Sequence, residues 1–221
     1  MQAPLGTFTF DGPAGRLEAL FRPARQPAGG APPRAAVVCH PLPTHGGTMH
    51  NKVVYRAAKA LEALGYGVLR FNFRGVGASG GRFSDGVGEG DDVRAALDWL
   101  AGTLPEAELI VGGFSFGNAV GIPVGAEDPR VTHLVGLGTP TDRFPFDRLG
   151  AVTKPKLFVQ GDRDEYGPLD ALRAGLARVG EPHELLVIPG ADHFFAGRLA
   201  ELEAAIRSYF SAPGERSIAS A

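Results

Sequence analysis

Five consecutive residues restrict this chain more than any others: Gly113-Phe114-Ser115-Phe116-Gly117. They follow the apolar run Leu109-Ile110-Val111 and precede Asn118-Ala119-Val120. The order reads as a strand, a sharp turn and a helix with a serine at the apex, the G-x-S-x-G pattern of a nucleophile elbow. Such a turn holds the serine in a strained backbone conformation and lifts its hydroxyl above a sheet. A side chain at either flanking glycine would collide with the neighbouring strand or helix. The helix behind the serine aims unpaired N–H groups at the space above it. With 32 glycines in 221 residues, the bare pattern also arises by chance, so its meaning rests on the rest of the chain.

The rest alternates between strand and helix. Leu5 to Phe10 and Arg16 to Arg22 alternate in polarity around the turn Asp11-Gly12-Pro13, which predicts an antiparallel hairpin. Residues 23–34 hold four prolines and read as a loop. Ala35 to Cys39 is continuously apolar, as in a strand buried on both faces. Val54, Ala57, Ala58, Leu61 and Leu64 recur at helical spacing until Gly65. Strand Gly67 to Phe73 and a helix bearing Val93, Ala96, Leu97 and Leu100 follow, then strand 108–112 and a helix over 116–126 that Pro123 should kink or shorten. Val131 to Leu137, Lys156 to Gln160 and Glu184 to Ile188 are predicted strands. Between the last two lies a helix that opens at Pro168 and carries Leu169, Leu172, Leu176 and Val179. A helix over 195–210 closes the pattern, and the small polar tail 211–221 should fray. The reading is one α/β domain over 1–210: a mostly parallel twisted sheet of about seven to eight strands, helices on both faces, and an antiparallel N-terminal hairpin.

Composition narrows the partners. A net charge of −2 lacks the basic field that nucleic acid requires. No apolar run approaches the length of a membrane span. The N-terminus lacks the basic and apolar regions of a signal peptide. The single cysteine, Cys39, permits neither an internal disulfide nor a cysteine metal cage. A cytoplasmic protein is therefore expected, with no nucleic-acid or membrane partner.

A serine hydroxyl is a weak nucleophile at neutral pH and needs a general base, which a carboxylate must orient. His193 stands in Gly190-Ala191-Asp192-His193, directly after the last strand, where a base could reach the elbow. Taken alone it also reads as an ordinary surface histidine. Gln160-Gly161-Asp162-Arg163-Asp164-Glu165 places three carboxylates after an earlier strand, a cluster that could equally be an acidic turn. Asp164 is the first choice, Asp162 the second and Asp142 an outside candidate. The order Ser, Asp, His then fits the elbow pattern. An oxyanion hole needs two N–H donors. Phe116 follows the serine and supplies one. The loop His40-Pro41-Leu42-Pro43-Thr44-His45-Gly46-Gly47 can supply the other. Prolines lack an N–H, so Leu42 is the single donor between 41 and 43; Thr44, Gly46 and Gly47 remain alternatives. His40, Asn118 and Phe144 are possible pocket residues; supporting the oxyanion loop is the competing reading for His40, and a core or cap role that for Asn118.

These segments together resemble the α/β-hydrolase superfamily, and within it a group of small capless bacterial hydrolases with a proline-rich HPxP…GG loop and an NFRGxGxSxG segment. Here those are His40 to Lys52 and Asn72 to Gly80, and the likeness runs from about residue 15 to 210. The resemblance favours the final aspartate of the Gly161-Asp162-Arg163-Asp164 turn as the acid. His50, where an acidic residue is commoner, and Pro123 depart from the pattern.

Other chemistries fit less well. Gly75-Val76-Gly77-Ala78-Ser79-Gly80 is a literal G-x-G-x-x-G, but the stretch 81–90 reads as a loop where a dinucleotide site needs a helix. His40, His45 and His50 lack the spacing of a helical zinc site, so no metal and no cofactor is expected. A scaffold that has lost its chemistry is the non-enzyme reading. The expectation is a carboxylesterase-like serine hydrolase of small or short-acyl esters; thioester, amide and dienelactone hydrolysis use the same machinery. Residues 138–155 leave room for a flap and not for a cap domain. The substrate should be read by loops 40–50, 81–90 and 139–154. Oligomeric state is not legible.

Overall fold

The computed structural model describes residues 6–25 and 31–211. Eight strands form one sheet: β1 Thr7–Gly12, β2 Gly15–Arg22, β3 Arg34–Cys39, β4 Gly67–Phe71, β5 Glu108–Phe114, β6 Val131–Leu137, β7 Lys156–Gly161 and β8 His183–Ile188. Five helices accompany them: α1 Lys52–Ala63, α2 Val87–Thr103, α3 Phe116–Glu127, α4 Leu169–Leu176 and α5 Leu199–Ser211. The strand order is β1-β2-β4-β3-β5-β6-β7-β8. The β1–β2 and β2–β4 pairs are antiparallel and all others parallel. The mostly parallel sheet with its N-terminal hairpin is as the sequence predicts. Among the described residues no cap domain is inserted; the chain between β6 and β7 holds one short 3-10 helix, Phe146–Leu149.

The two-sided burial read from β3 is visible residue by residue. Ala35, Val37 and Cys39 pack into the core beneath α2, α3 and α4, while Ala36 and Val38 pack into the core beneath α1 and α5. Alternating side chains point to opposite faces of a strand, so a strand between two helical layers must be apolar throughout.

Several boundaries differ from expectation for local reasons. The hairpin turn falls at Pro13-Ala14, because Asp11 and Gly12 still pair with Arg16 and Gly15. Asn72 and Phe73 leave the sheet, and their N–H groups bond to Glu18 O and to His40 Nε2. α2 begins at Val87, inside the stretch read as loop. The Glu89 carboxylate accepts from the N–H groups of Ser84 and Gly86 and caps the helix start. α3 continues four residues beyond Pro123. Gly121 and Gly125 lie close enough to Cys39, Val111 and Leu134 that a Cβ would crowd them; this packing holds the helix where Pro123 donates no bond. α5 starts at Leu199, since Phe195 (φ +52°) and Gly197 (φ +71°) are left-handed. Part of loop 23–34 and residues 212–221 of the expected tail lie outside the described residues.

Candidate active site

The site lies where neighbouring parallel strands send their chains to opposite faces. β3 and β5 are adjacent with Cys39 opposite Gly113. The chain leaving β3 crosses to α1 on one face, and the chain leaving β5 enters α3 on the other. The crevice that opens at such a switch point is where open α/β sheets hold their ligands.

Ser115 sits at the tip of β5 with φ +53° and ψ −120°, a conformation that disfavours any residue with a side chain. Both flanking glycines are required by distance. A Cβ on Gly113 would come within 2.4 Å of the Gly117 backbone, and one on Gly117 within 2.5 Å of His40 O.

Ser115 Oγ lies 2.9 Å from His193 Nε2. His193 Nδ1 lies 2.8 Å and 3.0 Å from the two carboxylate oxygens of Asp164. A carboxylate only accepts, so the proton of the neutral imidazole belongs on Nδ1, and Nε2 is left to accept from the Ser115 hydroxyl. His193 and Asp164 are each 3% exposed. Asp164 also accepts from Gln160 Nε2 at 2.8 Å and from the N–H groups of Tyr166 and Gly167 at 2.9 Å. Gln160 is itself fixed, accepting from Thr139 N and donating to Gly167 O. Asp162 does something else: its Oδ1 accepts from Gly190 N at 2.6 Å and ties the turn after β7 to the turn after β8. Asp142 is exposed on the cavity wall.

The loop after β3 reaches the same space. A 3-10 helix over Pro43–His45 folds it back, and Leu42 O accepts from the N–H groups of His45 and Gly47. The N–H groups of Leu42 and Phe116 have no acceptor among the described residues, and both residues line the cavity that contains Ser115 and His193. His40 supports this loop from beneath and does not line the cavity. Its Nδ1 donates to Pro41 O at 2.7 Å and its Nε2 accepts from Phe73 N at 3.0 Å. Burial pulls its pKa down to about 4, against the smaller upward pull of the Pro41 carbonyl, so the ring is neutral.

Two other candidates lie elsewhere. Asn118 is buried and donates to Thr139 Oγ1 at 2.8 Å. Phe144 is buried against Phe146 and Phe158, in the core and away from the cavity. Its place in the segment 138–155 made it a pocket candidate, and its apolar ring packs into the core.

The cavity holds about 340 Å³. Sequence reasoning missed Tyr166, Phe194, Arg143, His45 and Asn51 on its wall. Tyr166 and Phe194 stand next to residues already singled out, two after Asp164 and one after His193. Among the described residues no three His, Cys, Asp or Glu side chains gather as a metal-binding set, and no helix is long and apolar enough to cross a membrane.

A family model for the alpha/beta hydrolase domain matches residues 42–205, and the chain belongs to that family of hydrolases. An alpha-beta serine hydrolase homologue from Coxiella burnetii has 37% sequence identity and a TM-score of 0.86, with 94% of this chain and 98% of the other covered. A serine hydrolase without a lid from Xanthomonas campestris has 38% identity and a TM-score of 0.82, with 93% and 95% covered. An uncharacterized protein of Rickettsia prowazekii is 38% identical over 209 residues, 90% of this chain and 86% of its own length. The absence of a cap among the described residues is shared with the Xanthomonas structure.

Proposed function

We propose that this hydrolase cleaves small or short-acyl carboxylic esters through Ser115, His193 and Asp164. The observation that carries the reading is the unbroken hydrogen-bonded line from Ser115 Oγ through His193 to Asp164, at the wall of a cavity with two unengaged N–H groups. Ser115 Oγ attacks the ester carbonyl while His193 Nε2 takes its proton. Asp164 holds the imidazole tautomer and stabilises the imidazolium. The N–H groups of Leu42 and Phe116 receive the oxyanion, a contribution of roughly 3 kcal/mol per donor in comparable sites. His193 then gives its proton to the leaving alkoxide, and water repeats the sequence on the acyl-enzyme. The chain's own residues supply every step, so the reaction calls on no cofactor.

The open cavity supports a size limit. With no cap inserted among the described residues, and one short 3-10 helix in the segment 138–155, a long acyl chain has little apolar surface to bury against. The test has two parts. A fluorophosphonate should label Ser115 in folded protein, and absence of label would sink the reading. Across p-nitrophenyl esters from acetate to palmitate, kcat/KM should fall with chain length; a rise would refute the short-acyl preference.

A further inference from the structure

We propose that the alcohol portion of the ester is aromatic, and that Tyr166 and Phe194 recognise it. This rests on the esterase reading above and names the substrate class for that site.

The starting point is where the leaving group must go. The proton that His193 Nε2 takes from Ser115 has to be delivered to the leaving alkoxide oxygen, which therefore passes within hydrogen-bond reach of Nε2. The substituent on that oxygen lies against whatever borders the imidazole on the cavity side. Three aromatic rings touch the imidazole. Phe114 is fully buried beneath it. Tyr166, at 4.7 Å between ring centroids and tilted by 48°, and Phe194, at 5.2 Å and nearly perpendicular, both line the cavity.

Their exposure is out of character for the chain. Tyr166 is 54% and Phe194 51% exposed, and the other exposed large hydrophobic side chains among the described residues are Tyr55 and Val87. Half of that small set borders one imidazole. Most phenylalanines are buried, Phe73, Phe114, Phe158 and Phe195 fully so. A ring left half in water beside a reacting group has apolar area still to bury, and an aromatic ligand can bury it.

Both rings are held at their posts by the chain that carries the reacting groups. Tyr166 N donates to Asp164 and Tyr166 O accepts from Thr141 N. Phe194 stands between His193 and the fully buried Phe195, and its ring contacts Phe114 edge-on at 6.1 Å. The backbone that carries each ring is thus fixed in advance of binding, with both rings against His193. Each presents a π face or edge whose quadrupole favours another aromatic ring over a saturated one of similar size. A phenyl or benzyl group on the leaving oxygen meets this requirement, and a simple alkyl alcohol does not.

The test must separate aromaticity from leaving-group reactivity. Benzyl acetate and cyclohexylmethyl acetate serve, because both release a primary alcohol of similar size and differ in the ring. The expected kcat/KM ratio, benzyl over cyclohexylmethyl, is about three- to ten-fold. It should fall toward one in Tyr166→Leu, in Phe194→Leu and most in the double variant. Because the ratio is taken within one protein, a variant that disturbs His193 and lowers both rates leaves it unaffected. A wild-type ratio near one, with turnover that Ser115→Ala abolishes, overturns the aromatic inference and leaves the esterase reading standing. A ratio that survives both leucine substitutions also overturns it, since the rings then only pack His193. Turnover of neither ester by the wild type overturns both readings together.

Discussion

The turn that carries Asp164 and the cavity rim facing it are built in opposite ways. In the turn both oxygens of the carboxylate are engaged more than once: Asp164 is bonded to His193, Gln160, Tyr166 and Gly167, and Gln160 in turn to Thr139. On the rim, Tyr166 and Phe194 are half exposed, and Arg143 meets Asp85 through a single contact of 3.5 Å. Groups that move a proton need a fixed geometry within tenths of an ångström, and a dry, fully bonded turn provides it. Groups that meet a substrate must first meet water, so they cannot be locked in the same manner. Tyr166 belongs to both regions, with its backbone in the web and its ring on the rim.

Removing the proposed nucleophile is the severest way to test that division. Ser115→Ala should lower kcat by roughly a million-fold. It should leave the urea midpoint nearly unchanged, because alanine keeps the Cβ and with it the strain at φ +53°, and the one bond lost is that from Oγ to His193. A large loss of stability would show that the web extends through the serine. Asp164→Asn comes next, with an expected loss in kcat of about ten-thousand-fold from the wrong histidine tautomer. It should also cost roughly 1–3 kcal/mol of stability: with Oδ1 still accepting from the Tyr166 and Gly167 N–H groups, the amide nitrogen takes the place of Oδ2 and cannot accept from Gln160 Nε2. Asp162→Asn loosens one bond to Gly190 and should spare kcat. If Asp162→Asn or Asp142→Asn proves the crippling change, Asp164 is not the acid and the dense turn serves only the fold.

His40 extends the locked region under Leu42, and it gives the comparison a pH signature. Its folded pKa of about 4 lies below the ordinary 6.5 because the ring is buried. As pH falls, the unfolded chain therefore takes up the proton first. The stability is fully present above about 6.5 and is lost as pH falls toward 4, by about 3 kcal/mol. His40→Gln should remove that component, so the wild-type and variant unfolding free energies should converge between pH 6.5 and 4. Parallel curves would mean that His40 is not held neutral.

What the sequence disclosed follows the same division. The two-faced burial of Ala35 to Cys39, the elbow glycines and the positions of Asp164 and His193 after their strands were legible because strand ends and turn chemistry are local properties. The helix start at Val87 was hidden because four glycines over 81–90 outweigh the single carboxylate of Glu89 that caps it. Pro123 misled for a related reason, since its missing bond is visible in the sequence and the packing of Gly121 and Gly125 against the sheet is not. Tyr166 and Phe194 escaped because an aromatic residue in a loop reads as core until its neighbours are known. Phe144 is the converse case, assigned to the pocket and found in the core.

The smallest expected effect belongs to the rim and is the most direct way to break the comparison. Arg143 and Asp85 are 53% and 78% exposed at their side chains, and their 3.5 Å contact is long for a charge-assisted bond. Exposed pairs of this kind contribute little, because water screens the attraction and both side chains lose rotamer freedom in holding it. Arg143→Gln and Asp85→Asn should each change unfolding free energy by less than about 0.5 kcal/mol. The double variant should equal the sum of the singles, with no coupling that weakens with added salt. A coupling of 1 kcal/mol or more, or one that survives high salt, would mean that the loop at 81–86 and the segment 138–155 are clamped to each other beside the cavity. The rim would then share the construction of the Asp164 turn, and the separation between a locked proton path and an accommodating entrance would fail at this point.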